Sequence, residues 1–304
     1  MSYQRHGHWK NFARIAVSRY IPVMPQTPPV VLTIAGFDPS SGAGITADIK
    51  TIAAHGCYGV AAITALTVQS FAGVRRWSPV NPRLVQDSLE ELIADVKVSA
   101  VHIGMLGSGA VASRVEHFLE NAKLPSIVLD PVLKASSGAS LLDAKGTAIL
   151  TQKLLPLATV VTPNVDEAAA LTGVGIASLD DMKQAAGRLH ELGAKSVVIT
   201  GGHMQKAVDL LSVRNESVQI FTADKLDSPC THGTGCAFST ALACHLALGR
   251  SLSESVLLAK SYVTTAIASG YPLGKGTSPV NHMYRLKSHP RVGVVVKNFA
   301  SEKD

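Results

Sequence analysis

Five consecutive residues carry the clearest chemistry in this sequence. The stretch His232-Gly233-Thr234-Gly235-Cys236 runs directly into the apolar segment 237–248. Two glycines let the backbone approach a ligand closely, and a helix that begins here would direct its free N–H groups and positive dipole end at that ligand. The pattern predicts an anion site, and the same helix end is expected to lower the pKa of the Cys236 thiol. The alternative is a loop that precedes a buried helix and merely contains glycine.

Three further features follow predicted strands, where ligands bind in open α/β sheets. The loop 36–44 is rich in small residues that would let backbone N–H groups reach a substrate, although it matches neither common phosphate-binding glycine pattern. Asp48 lies one helical turn beyond Gly44, where its carboxylate can face the loop, cap the helix or be solvated. Gln69 ends another strand, and its amide can read the edge of a heterocycle or lie at an exposed strand end.

A possible magnesium site comes from two carboxylates and an amide. Asp130 ends the predicted strand 127–129, while Asn164 and Glu167 follow the predicted strand 159–161. Magnesium in proteins usually takes one or two carboxylates together with waters or phosphate oxygens. The spacing of Asn164 and Glu167 also matches a helix capping box, and both interpretations can hold together.

The elements that position these residues alternate between strand and helix. This alternation predicts parallel strands with crossover helices on both faces of one sheet, and a hairpin at 207–213 and 218–222 adds antiparallel strands at one edge. The predicted strands before the hairpin are 30–35, 60–68, 101–106, 127–129, 159–161 and 196–200. The predicted helices are 45–55, 83–96, 110–121, 143–155, 164–172, 179–192, 236–248 and 253–269.

Composition limits the classes of protein to which the site can belong. The 304 residues are 46% hydrophobic and 16% charged, which is enough to bury the core of one large α/β domain. The net charge of +6 lies in the tails: residues 1–30 hold four Lys or Arg and no acid, and residues 285–304 hold five against two acids. The rest of the chain is then close to neutral, which argues against nucleic acid as a partner.

Cysteine use and hydropathy indicate the compartment. The four cysteines show no paired spacing typical of zinc sites, and so few in a long chain favour a reducing, cytoplasmic environment. No window reaches 18 uninterrupted apolar residues, so no membrane partner is expected. We expect residues 1–27 to be a disordered stretch or extension, residues 28–284 to form a single domain, and residues 285–304 to form a basic tail.

Taken in order, the motifs resemble a known enzyme family. Together they are similar to the hydroxymethylpyrimidine and phosphomethylpyrimidine kinases of thiamine biosynthesis, in the ribokinase-like superfamily, and the resemblance covers residues 31–282. The segments that carry it are Ala35-Gly36-x-Asp38-Pro39-Ser40-x-Gly42-Ala43-Gly44, Asp130-Pro131-Val132, Thr162-Pro163-Asn164-x-x-Glu167-Ala168, Gly201-Gly202-His203, His232-Gly233-Thr234-Gly235-Cys236 and Gly276-x-x-Pro279-Val280-x-His282.

The resemblance implies a three-layer α/β/α fold with a mostly parallel sheet and an antiparallel edge hairpin. It implies ATP-dependent phosphorylation of 4-amino-5-hydroxymethyl-2-methylpyrimidine and of its monophosphate, with ATP and Mg²⁺, in a homodimer. The positions that hold the aminopyrimidine are Gly36, Asp48, Gln69, Met105 and Val132. Those at ATP are Asp130, Asn164, Glu167, Thr200 and Gly202, with Asp130 and Glu167 also at the metal. The catalytic positions are Gly233, Thr234 and Gly235, which form the anion hole, and Cys236, which is the base. Sugar kinases of the superfamily have aspartate at the position of Cys236.

Two departures from the family pattern keep alternatives open. Thr200 stands where the family commonly has lysine, so one expected cation near the phosphates is missing. Lys134 is an added charge in the loop after Asp130, where it can replace that cation or be solvated. A pyridoxine or pyridoxal kinase is the nearest alternative, because that substrate is also a nitrogen ring with a hydroxymethyl group. A non-catalytic pyrimidine or nucleotide binder is favoured only by Thr200.

Overall fold

A nine-stranded sheet runs through the part of the chain that the computed structural model describes, residues 27–135, 138–202 and 207–286. Residues 1–26 of the expected N-terminal extension and residues 287–304 of the expected basic tail lie outside the described residues. The strands are, in chain order, β1 (Val30–Phe37), β2 (Tyr58–Ser70), β3 (Gly73–Pro79), β4 (Val98–Ile103), β5 (Ile127–Leu129), β6 (Val160–Val161), β7 (Ser196–Gly201), β8 (Ala207–Val213) and β9 (Gln219–Ala223).

The helices lie between the strands in chain order and cover both faces of the sheet. They are α1 (Gly44–Ala54), α2 (Pro82–Asp95), α3 (Gly109–Ala122), α4 (Ala144–Ile149), α5 (Leu155–Leu157), α6 (Val165–Thr172), α7 (Leu179–Glu191), α8 (Thr234–Ala247) and α9 (Leu252–Ala268). A π-helical turn, Leu150–Leu154, joins α4 to α5. In the described residues no helix is both long and apolar enough to cross a membrane.

The strand order across the sheet is β3-β2-β1-β4-β5-β6-β7-β8-β9. The six neighbouring strands β2, β1, β4, β5, β6 and β7 are parallel to one another. At one edge β8 and β9 form the antiparallel hairpin that the sequence predicted. The three-layer α/β/α fold with a mostly parallel sheet is therefore confirmed, and the carboxyl ends of the parallel strands meet at one edge as expected.

The opposite edge differs from the prediction, because β3 pairs antiparallel with β2 there. The predicted strands pass directly from 60–68 to 101–106, and none was predicted in this region. An edge strand is exposed and needs no apolar alternation, and the side chains of Arg75 and Arg76 in β3 are both exposed. Hydrophobic patterning therefore does not identify this strand, and a second antiparallel edge was missed.

The core consists of two layers, one on each face of the sheet. Along β1, Val31 packs with the layer of α1, α8 and α9, while Leu32 and Ile34 pack with the layer formed by α2 to α7. Helix α8 lies close to the sheet because much of its buried surface is small residues, and residues 237–245 are all buried. This packing places the first turn of α8 over the carboxyl ends of the central strands.

Candidate active site

Two glycine-rich loops meet at this edge of the sheet through their backbones. Gly233 has φ +81°, and a Cβ atom there would lie 1.7 Å from the carbonyl oxygen of Gly42. A Cβ atom on Gly42 would in turn lie 2.1 Å from Cδ2 of His232. At Gly233 only glycine satisfies both the conformation and the space, and at Gly42 an added Cβ atom would displace the His232 ring. The loop 36–44 and the start of α8 are therefore held in direct contact.

Asp38 joins the two loops by hydrogen bonds. Its Oδ1 accepts from the backbone N–H and the hydroxyl of Ser40 at 2.8 and 2.7 Å. Its Oδ2 accepts from the N–H of Ala43 at 3.0 Å and lies 2.9 Å from Nε2 of His232. Burial opposes ionisation of Asp38, but the hydrogen bonds from His232 and Ser40 hold its pKa below the ordinary value. Asp38 is therefore a carboxylate that fixes His232 in place.

Four of the five predicted pyrimidine-binding residues line the space beside these loops. Nε2 of Gln69 lies 3.4 Å from Nε2 of His232, which places the Gln69 amide at the loop contact. A Cβ atom on Gly36 would lie 2.8 Å from the sulfur of Met105, so the two residues touch. Val132 packs on the small apolar cluster that contains Met105. Their roles in substrate binding stay predictions.

Asp48, the fifth of these residues, is fully buried beneath the loops. Its Oδ2 accepts a hydrogen bond from the hydroxyl of Thr33 at 2.7 Å, and its Oδ1 accepts one from Thr240 at 2.9 Å. Nδ1 of His102 lies 3.3 Å from Oδ2. Asp48 thus belongs to a buried polar network that joins α1 to β1, β4 and α8, and its contact with substrate stays a prediction.

The carboxylates proposed for magnesium have their pKa values raised. Burial raises the pKa of Asp130, and burial followed by the negative charge of Asp130 raises that of Glu167. Asn164 and Glu167 do form a capping box, because Oε2 of Glu167 accepts from the Asn164 N–H at 3.0 Å and Asn164 Oδ1 accepts from the Glu167 N–H at 2.9 Å. Asp130 is buried and Glu167 is partly buried, and the charge of Asp130 disfavours ionisation of Glu167, so the pair is suited to a shared cation.

The donor set fits magnesium that is completed by phosphate and water. Within residues 27–135, 138–202 and 207–286, no three His, Cys, Asp or Glu side chains are arranged to hold a metal ion by themselves. Magnesium needs only one or two carboxylates when phosphate oxygens supply further ligands. A Cβ atom on Gly235 would lie 3.9 Å from Oδ2 of Asp130, so the predicted anion hole borders this carboxylate.

The predicted effect of α8 on Cys236 is wrong in direction. Burial raises the pKa of the Cys236 thiol well above its ordinary value, and the negative charges of Asp130 and Asp48 raise it further. A hydrogen bond from the backbone N–H of Gly44 opposes this change only in part. A helix end contributes ~0.3–1 kcal/mol at a typical site, which burial and the nearby carboxylates together outweigh. Cys236 is therefore a thiol at neutral pH in this structure.

The remaining residues that were predicted to bind ATP lie at adjacent strand ends. The Thr200 N–H donates to the carbonyl of Pro163 at 2.9 Å, and Thr200 forms an isolated parallel bridge with Asn164. Gly202 is exposed, and residues 203–206 beyond it, including the family motif residue at 203, lie outside the described residues. Lys134 is exposed on the loop after Asp130. Contact of these residues with ATP stays a prediction.

Sequence reasoning missed His102 and Ser239 of the buried network, as well as the two threonines that donate to Asp48. His102 is the only ionisable residue in β4, and Ser239 follows Cys236 by three positions in α8. Nε2 of His102 lies 2.9 Å from the Ser239 hydroxyl, which is 3.2 Å from Oδ2 of Asp130. An ionisable residue inside an apolar buried strand is the signal that would have identified His102.

The fold and site define the class of protein first. The domain has three layers, α/β/α, and a helix N-terminus and two carboxylates lie at one edge of its sheet. This arrangement is that of a ribokinase-like kinase. The solved pyridoxal kinase of Staphylococcus aureus in complex with AMP-PCP and pyridoxal has this fold, with a TM-score of 0.77 and 34% sequence identity over 84% of this chain and 94% of that one.

The family follows from sequence. The family model described as phosphomethylpyrimidine kinase matches residues 38–281, and the chain belongs to this family. The hydroxymethylpyrimidine/phosphomethylpyrimidine kinase of Haemophilus influenzae is 42% identical over 260 residues, which are 83% of this chain and 96% of that protein. The family and its named members make the chain an ATP-dependent kinase.

A longer relative carries a second activity. The thiamine biosynthesis bifunctional protein ThiED of Geobacter sulfurreducens is 42% identical over 255 residues, or 83% of this chain. The chain spans about half of that relative, 52% of its length. The similarity therefore concerns one part of the bifunctional protein.

The contact between the two glycine loops makes a specific prediction. Gly233→Ala is expected to destabilise the fold by ~1–3 kcal/mol, because alanine is strained at φ +81°, and to lower turnover sharply because the clash with Gly42 displaces the start of α8. Urea unfolding and a kinase assay measure the two effects.

Gly187→Ala is the matched control for this prediction. Gly187 lies inside α7, and no atom lies within 4 Å of the position that an added Cβ atom would take. Alanine is therefore expected to stabilise the helix by ~0.5–1 kcal/mol. A Gly233→Ala protein with the stability and turnover of the unaltered chain would show that the loop contact is not needed.

Proposed function

We propose that this kinase phosphorylates 4-amino-5-hydroxymethyl-2-methylpyrimidine and then its monophosphate at the edge of the sheet described above. The γ-phosphoryl group of ATP moves to the hydroxymethyl oxygen in the first reaction and to the phosphate so formed in the second. The observation that carries this placement is the position of Gly235 beside Asp130, because it combines an anion hole with a metal-binding carboxylate.

The start of α8 supplies the anion hole. Gly233 precedes α8 in the left-handed conformation and has no side chain to cap it. The backbone N–H of Thr234 donates to the carbonyl of Thr231 at 3.3 Å. The N–H of Gly235, together with the positive end of the helix dipole, is therefore the group proposed to face the γ-phosphoryl group. Phosphoryl transfer depends mainly on alignment and on neutralising charge at the transferred group, which is what this helix end provides.

Asp130 and Glu167 are the residues that would hold magnesium. A bound magnesium ion would neutralise negative charge on the phosphates and help to align them. The side chain of Asn164 caps the helix that carries Glu167, and the backbone N–H of Asn164 donates to the Glu167 carboxylate and so fixes its position. Thr200, held next to Asn164, then lies on the nucleotide side and contributes no positive charge.

Cys236 is proposed as the base that accepts the proton of the substrate hydroxyl. It lies in the first turn of α8 beside the anion hole, and Gly44 donates a hydrogen bond to its sulfur. Only the thiolate can accept the proton, and the raised pKa leaves a small thiolate fraction at neutral pH. The rate is therefore expected to increase with pH as this fraction grows.

Substitution of Cys236 tests the proposed base. Cys236→Ala is expected to lower kcat by ~100- to 10,000-fold, the usual contribution of a general base. In the unaltered enzyme kcat should increase from neutral to alkaline pH, whereas Cys236→Asp should flatten this increase because a carboxylate ionises at lower pH. Cys57→Ala, which alters a buried cysteine at the start of β2, is the control. Near wild-type turnover in Cys236→Ala or Cys236→Ser would disprove the base assignment.

A comparison of acceptors tests the substrate. ADP formation is measured with the hydroxymethylpyrimidine, its monophosphate and pyridoxal side by side, since a solved relative is named pyridoxal kinase. We expect the highest kcat/KM for the pyrimidine and measurable turnover of its monophosphate. Preference for pyridoxal would instead assign the pyridoxal kinase activity. Binding without turnover of any acceptor would make the chain a binder.

A homodimer is also proposed, with β2 in the interface. Tyr58, Leu66 and Val68 of β2 are 60%, 53% and 45% exposed, which leaves apolar surface for a second copy to cover. Light scattering should give twice the chain mass of 31.8 kDa, and Leu66→Lys should reduce it to one chain. Leu257→Lys, at a leucine of α9 that is 54% exposed, should leave the dimer intact. A monomeric unaltered protein would contradict the proposal.

The proposed compartment is the cytoplasm. All four cysteines, Cys57, Cys230, Cys236 and Cys244, are free thiols, which persist in reducing compartments. Recovery of the protein in an oxidising compartment after cell fractionation would contradict this proposal.

A further inference from the structure

His102 is a fully buried histidine whose two ring nitrogens both face polar atoms of the site. Nδ1 lies 3.3 Å from Oδ2 of Asp48 and 3.2 Å from the hydroxyl of Thr33. Nε2 lies 2.9 Å from the hydroxyl of Ser239, which is itself 3.2 Å from Oδ2 of Asp130. One imidazole therefore connects the Asp48 side of the network to the carboxylate proposed for magnesium.

The available protons determine the direction of these hydrogen bonds. Ser239 has one hydroxyl proton, so when it donates that proton to Asp130, its contact with His102 is a hydrogen bond only if Nε2–H donates to the serine oxygen. Thr33 uses its own proton to donate to Asp48 at 2.7 Å, so Nδ1 also has to donate. Both nitrogens then carry protons, and the imidazole is a cation between two carboxylates. Burial lowers the pKa of His102, but the negative charge of Asp48 and then that of Asp130 produce a net increase.

Ser239 has two further acceptors in its own helix, so the imidazole decides where its proton goes. Its hydroxyl lies 3.0 Å from the carbonyl oxygen of Gly235 and 3.3 Å from that of Cys236, both about one helical turn earlier in α8. A helix serine commonly bonds to such carbonyls by itself. With Nε2–H donating to Ser239, the oxygen is held between the imidazole and Asp130, and the carboxylate keeps a fixed rotamer. His102 is the residue of β4 that contacts this hydroxyl in the described part of the chain. Without its N–H, the serine proton is free to bond to the helix carbonyls instead.

We propose that His102 is a positioning residue of the phosphoryl-transfer site, which orients the Asp130 carboxylate through Ser239 while it anchors Asp48 from below. It touches neither substrate nor metal and acts through the serine. The inference rests on the proposed placement of magnesium at Asp130. A buried neutral histidine is satisfied by one donor contact and one acceptor contact, whereas this imidazole is placed to donate from both nitrogens, directly towards Asp48 and through Ser239 towards Asp130.

Three variants test the link from His102 through Ser239 to Asp130, which is called the relay below. Ser239→Ala removes the link, His102→Asn is too short to reach Ser239, and His102→Gln keeps an N–H near the Nε2 position. We expect Ser239→Ala and His102→Asn each to lower kcat about tenfold, equivalent to ~1.4 kcal/mol, with the KM for the pyrimidine nearly unchanged. His102→Gln should recover part of the loss. The double variant should be no worse than the single ones, because both act in one chain of contacts.

A binding measurement accompanies the kinetics. The increase in Tm that ADP produces is measured once with magnesium and once with EDTA. The difference between these two increases should be smaller in Ser239→Ala and His102→Asn than in the unaltered protein. His245→Gln is the matched control: His245 is buried in the same helix and no hydrogen-bond partner is found for its ring nitrogens in the described part of the chain. This control should change Tm without changing its dependence on magnesium.

The outcomes separate the proposals. Unchanged kcat and magnesium-dependent Tm in Ser239→Ala would overturn the relay, and so would losses that multiply in the double variant. If His102→Asn does not fold, Ser239→Ala decides alone. Failure of the unaltered protein to phosphorylate the pyrimidine would instead overturn the substrate assignment, because the magnesium-dependent effect of ADP does not require an acceptor.

Discussion

The backbone contact between Gly42 and Gly233 is the constraint on which the rest of the site depends. It brings the loop after β1 against the start of α8, so that Asp38 can hold His232 and Gly44 can donate to Cys236. A side chain at Gly233 would separate the loops, since its Cβ would occupy the position of the Gly42 carbonyl oxygen. The proposed anion hole is therefore a product of two segments about 190 residues apart in the chain, and neither would form it alone.

Negative charge is the second organising feature. Asp48, Asp130 and Glu167 are gathered near the positive end of α8, and their burial and mutual repulsion raise the pKa values of Asp130, Glu167 and Cys236. Such a cluster is costly unless cations compensate it. His102 supplies one positive charge from below, and magnesium with the helix dipole would supply the rest. The same charges that suit phosphate chemistry therefore make the Cys236 thiol hard to ionise.

The fold was largely accessible from the sequence, because buried parallel strands and amphipathic helices have distinct apolar patterns. The predicted strand 127–129 matches β5, and the predicted hairpin matches β8 and β9 within one residue. β3 was missed because an exposed edge strand carries Arg75 and Arg76 without a buried face. The capping box of Asn164 and Glu167 was also predicted, since it depends only on residues three apart.

By itself, the sequence determined the order of the elements, the glycines that permit close approach and the family motifs, all of which are local in the chain. Only the tertiary structure decided which groups face one another. Burial raises the pKa of Cys236, and so do the charges of Asp130 and Asp48, which are distant in sequence, so the local helix dipole predicted the wrong sign. The link from His102 through Ser239 to Asp130 joins three separate elements. Electrostatic interaction depends on distance and burial in space, and these arise only when the sheet and α8 pack together.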